Sequence, residues 1–326
     1  AVGPHRPLAH DDAELGGHRR ERHRHPHFAG RRVRHDHVAL GQPDLARRGR
    51  RRVPLRIEEV VGERPRPFGP PLGWDPTTST LIFGEREAVL VDALTTVAEA
   101  EALAAWIALH NRKLTTIYIT HGHFDHFYGL CVLLRHFPDA QAIATPRSVE
   151  LMHSQAIPLQ HFFRQCWPGQ IPASITAAES FDGDTFTLEG HELRIIEQGR
   201  TDTVHTTSVH VPSIDLVVGG DVLYNQCNMY VGGTTAESRA NWIAALDRLA
   251  ALKPKHAVAG HKKEGAPDTP DTIEESKQYL TDFGRLQQST TSDRELYDEM
   301  NKLYPHWSSP QAWLMFGLDL GSLVRQ

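Results

Sequence analysis

The chain of 326 residues is poor in cysteine: it has three, Cys131, Cys166 and Cys227, odd in number and far apart. That spacing excludes a complete disulfide framework and any CxxC metal site, and a reducing cytoplasm is the setting expected. Long apolar runs are also missing. Nothing approaches the roughly 18 consecutive apolar residues of a membrane helix, so no membrane association is expected. The N-terminal stretch shows no charged-then-apolar leader pattern, so secretion is not expected. Positive charge is not in excess either. The formal net charge is −5, which provides no broad field to attract nucleic acid. Lysine is absent from residues 1–52, and no period of 2 or 3.6 is sustained there.

What is present is the composition of a globular protein, 40% hydrophobic and 23% charged residues. The length suits one large domain or two small ones. Histidine is abundant, 21 in all, and many fall in the first fifty residues in runs such as "HRRERHRHPHF" (18–28). Residues 1–52 are expected to be a disordered Arg/His-rich extension, because they offer too little apolar surface to offset their ordering entropy. A basic arm for an acidic partner or a His-rich metal tract are the functional alternatives.

Beyond residue 52 the pattern is orderly. "STLIFGEREAVLVDA" (79–93) reads as a hairpin, and "TVAEAEALAAWIALH" (96–110) as a helix opened by a Thr96/Glu99 capping box. "LTTIYIT" (114–120) is a buried strand, followed by a helix over 129–137 and a strand over 140–146. Strands return over 184–198, 206–213 and 215–221, then a helix over 235–252, a short strand at 256–260 and a helical tail. The fold class expected is α/β, two mixed sheets packed together with helices outside. The domain is placed at 53–285, with 286–326 as a helical C-terminal extension packed on it.

The strand at 114–120 runs into "HGHFDH" (121–126). Two residues apart on an extended segment, His121 and His123 point to the same side and can clasp one metal. Asp125 and His126 follow as the chain turns and can face a second. Imidazole with carboxylate suits Zn²⁺, with iron and manganese also open. Strand ends in α/β proteins carry sites. "VVGGD" places Asp221 at the end of an apolar strand, where a bare carboxylate is costly unless paired or metal-bound; "AVAGH" places His261 likewise.

Together these motifs resemble the metallo-β-lactamase-fold hydrolase superfamily over about residues 55–285, closest in site pattern to its lactonase and hydroxyacylglutathione hydrolase members. The resemblance implies a four-layer αβ/βα sandwich with a dinuclear metal site on one edge. His121 and His123 would hold the first ion; Asp125, His126 and His261 the second; Asp221 would bridge them. The pattern departs at one point. A third histidine is expected for the first ion in a turn matching "QGRTDTVHTT" (198–207), and Arg200, which is no metal ligand, stands there. His205 is the expected replacement if the segment loops, with Asp202 or no protein ligand as the alternatives.

The activity implied is hydrolysis of a small ester, lactone or thioester by a hydroxide bridging two Zn²⁺ ions. Asp125 would orient the nucleophile. Tyr224, in "DVLY" (221–224), matches a tyrosine that assists the oxyanion in the lactonases. Phe162, Phe163, Trp167, Trp307 and Trp313 would roof a pocket, or else belong to the core. A small-molecule substrate is the only partner expected. The competing readings are an iron-dependent oxidoreductase of the same fold, a β-lactam or phosphodiester hydrolase, and a degenerate, non-catalytic member.

Overall fold

The computed structural model describes residues 76–308 together with the backbone at 32–33, 37–41 and 57–58. In chain order the main elements are β1 (His37–Gly41), β2 (Ser79–Phe83), β3 (Glu87–Val91), α1 (Val97–Ala108), β4 (Lys113–Tyr118), α2 (Leu130–His136), β5 (Gln141–Ala144), α3 (Pro146–Leu151), α4 (Gln160–Cys166) and β6 (Glu179–Ser180). There follow β7 (Thr185–Leu188), β8 (His191–Gly199), β9 (Thr206–Val211), β10 (Leu216–Val218), α5 (Ala236–Ala251), β11 (His256–Val258), α6 (Asp271–Ser289) and α7 (Asp293–Leu303).

One sheet runs β1-β2-β3-β4-β5-β6 and the other β11-β10-β9-β8-β7. Within the first, β2 and β3 form the antiparallel hairpin read from the sequence, and β3, β4, β5 and β6 run parallel. In the second, β7 to β10 are antiparallel neighbours and β10 pairs with β11 in parallel.

The alternation of side chains across a strand divides the core. Leu81, Ala88 and Leu90 face α1 and α2 and join Leu103, Ile107, Leu130 and Leu133. Their strand neighbours Ile82, Val89 and Val91 face the second sheet and pack with Leu193, Ile195, Val209 and Val218. The outer face of that sheet packs Val217 and Ala257 against Trp242 and Leu246 of α5 and Tyr279 and Phe283 of α6. The layers are therefore helix, sheet, sheet, helix, the αβ/βα sandwich that the resemblance implied.

Local chemistry starts these helices where the sequence indicated. The Thr96 hydroxyl accepts from the Glu99 N–H, and the Glu99 carboxylate accepts from the Thr96 N–H. Thr235 and Ser238 repeat the exchange at the start of α5.

Most of 1–52 lies outside the described residues, but the backbone of His37–Gly41 pairs in parallel with β2. The boundary expected at 285/286 falls inside the continuous helix α6. Leu296, Tyr297 and Met300 of α7 share one apolar cluster with α5 and α6. Among the described residues no helix is long and apolar enough to cross a membrane.

Candidate metal centre

Two pairs of parallel strands, one pair in each sheet, deliver the site from their C-terminal ends. The chain leaves β3 at Asp92, β4 at Thr120-His121, β10 at Gly219-Gly220-Asp221 and β11 at Gly260-His261. The two sheets are clamped at this edge: the Thr207 hydroxyl and N–H both donate to the Thr120 carbonyl, at 2.6 Å and 3.1 Å. After β4 the chain turns through His123, whose extended backbone caps the short helix Phe124–Phe127. Gly122 must be small: a Cβ there would stand 2.7 Å from Leu151 Cβ and 3.0 Å from the Ser148 carbonyl. The loop is backed by aromatic packing, with Phe124 stacked on Phe163 at 3.9 Å between ring centroids.

These strand ends bring together two groups of donors, His121, His123, Asp202 and Asp221 in one and Asp125, His126 and His261 in the other. Asp221 joins them. Its Oδ1 lies 3.1 Å from His126 Nε2, and its Oδ2 lies 3.1 Å from His261 Nε2 and 3.6 Å from His121 Nε2. Asp202 Oδ2 lies 2.9 Å from His123 Nδ1 and 3.9 Å from His121 Nε2. Asp125 Oδ2 is 3.3 Å from His261 Nε2, with the Thr77 hydroxyl donating to it at 3.3 Å.

Three of the imidazoles are held from behind. His126 Nδ1 donates to Asp92 at 2.9 Å, His261 Nδ1 to the Pro76 carbonyl at 3.2 Å, and His121 Nδ1 to the Thr120 hydroxyl at 3.0 Å, since that hydroxyl gives its own proton to Asp92. A proton fixed on Nδ1 leaves the Nε2 lone pair facing inward, the arrangement that presents imidazole to a cation.

The residues fit a metal centre on a direct test. His121 Nε2, His126 Nε2, Asp202 Oδ2 and Asp221 Oδ1 are buried and make no aligned hydrogen bond although they converge. Buried polar atoms are rarely left so, and cations held by the two groups would satisfy all four. The electrostatics agree. Burial pushes His121 down to about 4, with the charge of His126 adding to it. For His261 burial also opposes protonation, yet Asp221 leads a set of carboxylates that carries it up to about 9. Asp221 is buried, which works against its charge, but His126, His261 and His121 hold it well below the usual carboxylate range. The carboxylates thus demand positive charge at this point.

Of the residues singled out from sequence, His121, His123, Asp125, His126, Asp221 and His261 are brought together. His205 is not. It is exposed, its backbone is left-handed (φ 58°), and its carbonyl accepts from Ser148. The segment does loop, as replacement required, but the loop turns Asp202 inward instead. Arg200 is exposed and donates to the Gly233 carbonyl, away from the donors. Tyr224 is buried and stacks on His261, and its hydroxyl donates to Asp221 Oδ2 at 3.3 Å. Its hydroxyl is thus directed at a donor residue. Phe163 and Trp167 are buried core, and Trp307 stacks on Tyr279. Trp313 lies outside the described residues. Asp92 was not singled out, although "VLVDA" carries the signal that exposed Asp221: a bare carboxylate at the end of an apolar strand.

The sequence model of the metallo-beta-lactamase superfamily matches residues 72–261. The chain belongs to that superfamily. The relatives it matches are hydrolases, and this chain is a metallo-hydrolase of that superfamily. A metallo-beta-lactamase type 2 of Bacteroides fragilis is 24% identical over 218 residues, spanning 65% of this chain and 78% of that protein. A hydroxyacylglutathione hydrolase of Glaesserella parasuis serovar 5 (strain SH0165) is 33% identical over 78 residues, 24% of this chain and 32% of that protein. Among solved structures, a metallo-beta-lactamase from Pontibacter korlensis superposes with a TM-score of 0.48 at 20% identity, covering 62% of this chain and 85% of that one.

Proposed function

We propose that the chain hydrolyses a small ester, lactone or thioester at a dinuclear centre. His121, His123, Asp202 and Asp221 would hold one ion and Asp125, His126 and His261 the other, with Asp221 shared. The observation that carries this reading is the convergence of two donor groups on one carboxylate, with four buried donor atoms that make no aligned hydrogen bond. Ions bound there would supply a Lewis acid for the substrate oxygen and an activated water at neutral pH. Zinc suits four imidazoles with carboxylates.

The chain's own groups set the direction of approach. His121 and His126 are sealed off, whereas the side chains of His123 and Asp125 retain 31% and 10% of their exposure. Substrate therefore reaches the centre past these two. Asp125, steadied by Thr77, stands at that mouth and would orient the attacking water. Asp221, held by Tyr224, sits behind it.

The similarity to a hydroxyacylglutathione hydrolase supports a thioester or ester, and the longer one to a type 2 metallo-beta-lactamase supports a β-lactam as the second reading. Metal analysis of the purified chain and a panel of lactones, thioesters, β-lactams and phosphodiesters decide between them. Two zinc ions with lactone, ester or thioester turnover are expected. One iron with oxygen uptake, or turnover of phosphodiesters alone, overturns the proposal; turnover of β-lactams alone selects the second reading.

A further inference from the structure

The two halves of the centre have the same composition. His121, His123 and Asp202 stand on one side of Asp221, and Asp125, His126 and His261 on the other. Each is two imidazoles and one carboxylate. Had His205 been turned inward, the first half would be three imidazoles and the symmetry would be lost.

Asp202 is held for this position. Its Oδ1 lies 2.9 Å from the Thr201 hydroxyl and 3.4 Å from the Thr206 hydroxyl, and the Thr201 and Thr206 hydroxyls are 2.8 Å apart. The other oxygen, Oδ2, is fully buried, points at His123 and His121, and has no aligned hydrogen bond. A carboxylate that merely formed the turn would leave no oxygen unsatisfied in a closed interior, where that is expensive.

We propose that Asp202 makes the first half-site chemically equivalent to the second, so that the centre takes two ions of one kind and favours zinc over manganese by a narrower margin than a three-imidazole half-site would. The inference rests on the metal-centre reading above. Imidazole suits zinc, and carboxylate oxygen suits manganese. Zinc still binds more tightly in absolute terms, following the general order of divalent ions. What the exchange of an imidazole for a carboxylate alters is the margin, and it adds a third negative charge to the donor set.

The test uses the full chain stripped of metal with a chelator, titrated separately with Zn²⁺ and Mn²⁺. Calorimetry gives stoichiometry and affinity, and electron paramagnetic resonance reports whether bound Mn²⁺ ions are paired. Wild type is expected to take two ions of either metal, with the two steps within about tenfold of each other and Mn²⁺ bound as a coupled pair. Asp202→His should widen the zinc-over-manganese margin of the first step by about tenfold or more, the scale on which changes around a metal alter its affinity. Asp202→Asn, which keeps the shape and removes the charge, should weaken Mn²⁺ more than Zn²⁺ and guards against misfolding of the histidine variant. Two bound ions in wild type with an unchanged margin in both variants would overturn this inference alone. Uptake of neither ion by wild type would overturn the metal-centre reading and this inference with it.

Discussion

The two halves of the centre differ in how they are supported. In the second half, His126 and His261 are each fixed from behind, by Asp92 and the Pro76 carbonyl, and Asp125 is steadied by Thr77. In the first half, His121 is fixed through Thr120, but His123 meets Asp202 directly and is the most exposed of the donors. Asp202 itself comes from the turn between β8 and β9, held by hydroxyls of that same turn. One half is thus braced by the sheet ends, and the other depends on a loop.

The largest break in this comparison comes from disrupting the loop-held half. His123→Ala should abolish turnover and lower metal content. Loss of a donor exceeds the 10- to 100-fold that outer partners alone contribute to affinity. His205→Asn is the matched control, because asparagine tolerates the left-handed backbone found there. It should leave metal content and turnover at wild-type values. Metal analysis and steady-state rates check both, and a metal-depleted His205→Asn would return His205 to the site.

The braced half is tested next by Asp92→Asn. The change leaves the hydrogen bonds from Thr120 available but removes the charge that fixes the His126 ring. Metal affinity should fall by about 10- to 100-fold. The loss should appear at the second ion and spare the first. Equal losses at both ions would show that the halves are not separately supported.

How far the sequence spoke for itself follows the same division. His121, His123, Asp125, His126, Asp221 and His261 were legible because each sits at or just past the end of an apolar strand, where a polar donor is out of place unless bound. The fold was legible from the same strands, since period 2 and buried runs tell sheet faces apart. Asp202 was only a lesser alternative. It lies in a turn, where aspartate has an ordinary reason to be, and which side chain of a turn points inward depends on backbone angles that spacing does not reveal. His205 looked better by residue type and failed by direction. Tyr224 had the right spacing, but a spacing of three does not say whether a phenol faces the substrate or a neighbouring carboxylate.

A smaller effect is expected at the shared carboxylate. A Cβ at position 260 would stand 2.1 Å from Asp221 Oδ1 and 2.6 Å from the Gly220 carbonyl carbon. Gly260→Ala therefore forces Asp221 to shift, and overpacking of this kind costs about 1–3 kcal/mol. Since Asp221 faces both halves, both ions should weaken together, unlike the selective loss at Asp92→Asn. Chemical denaturation and a metal titration on the same sample separate the two contributions.

The smallest effect is expected at Tyr224. Burial, and then the charge of Asp221, push its hydroxyl well above the ordinary phenol range, so it stays protonated and donates. Tyr224→Phe keeps the ring that stacks on His261 and removes one hydrogen bond to a carboxylate; at 3.3 Å this bond is long for a hydroxyl donor and is worth about 1 kcal/mol. A hydroxyl whose work is to hold Asp221 should, on removal, weaken metal binding and leave kcat nearly unchanged at saturating metal. An oxyanion donor would do the reverse, lowering kcat by about 100-fold or more with metal affinity intact. Measuring kcat across a metal titration therefore separates the two roles, and a kcat that stays low at saturating metal would restore Tyr224 to the substrate side of the centre.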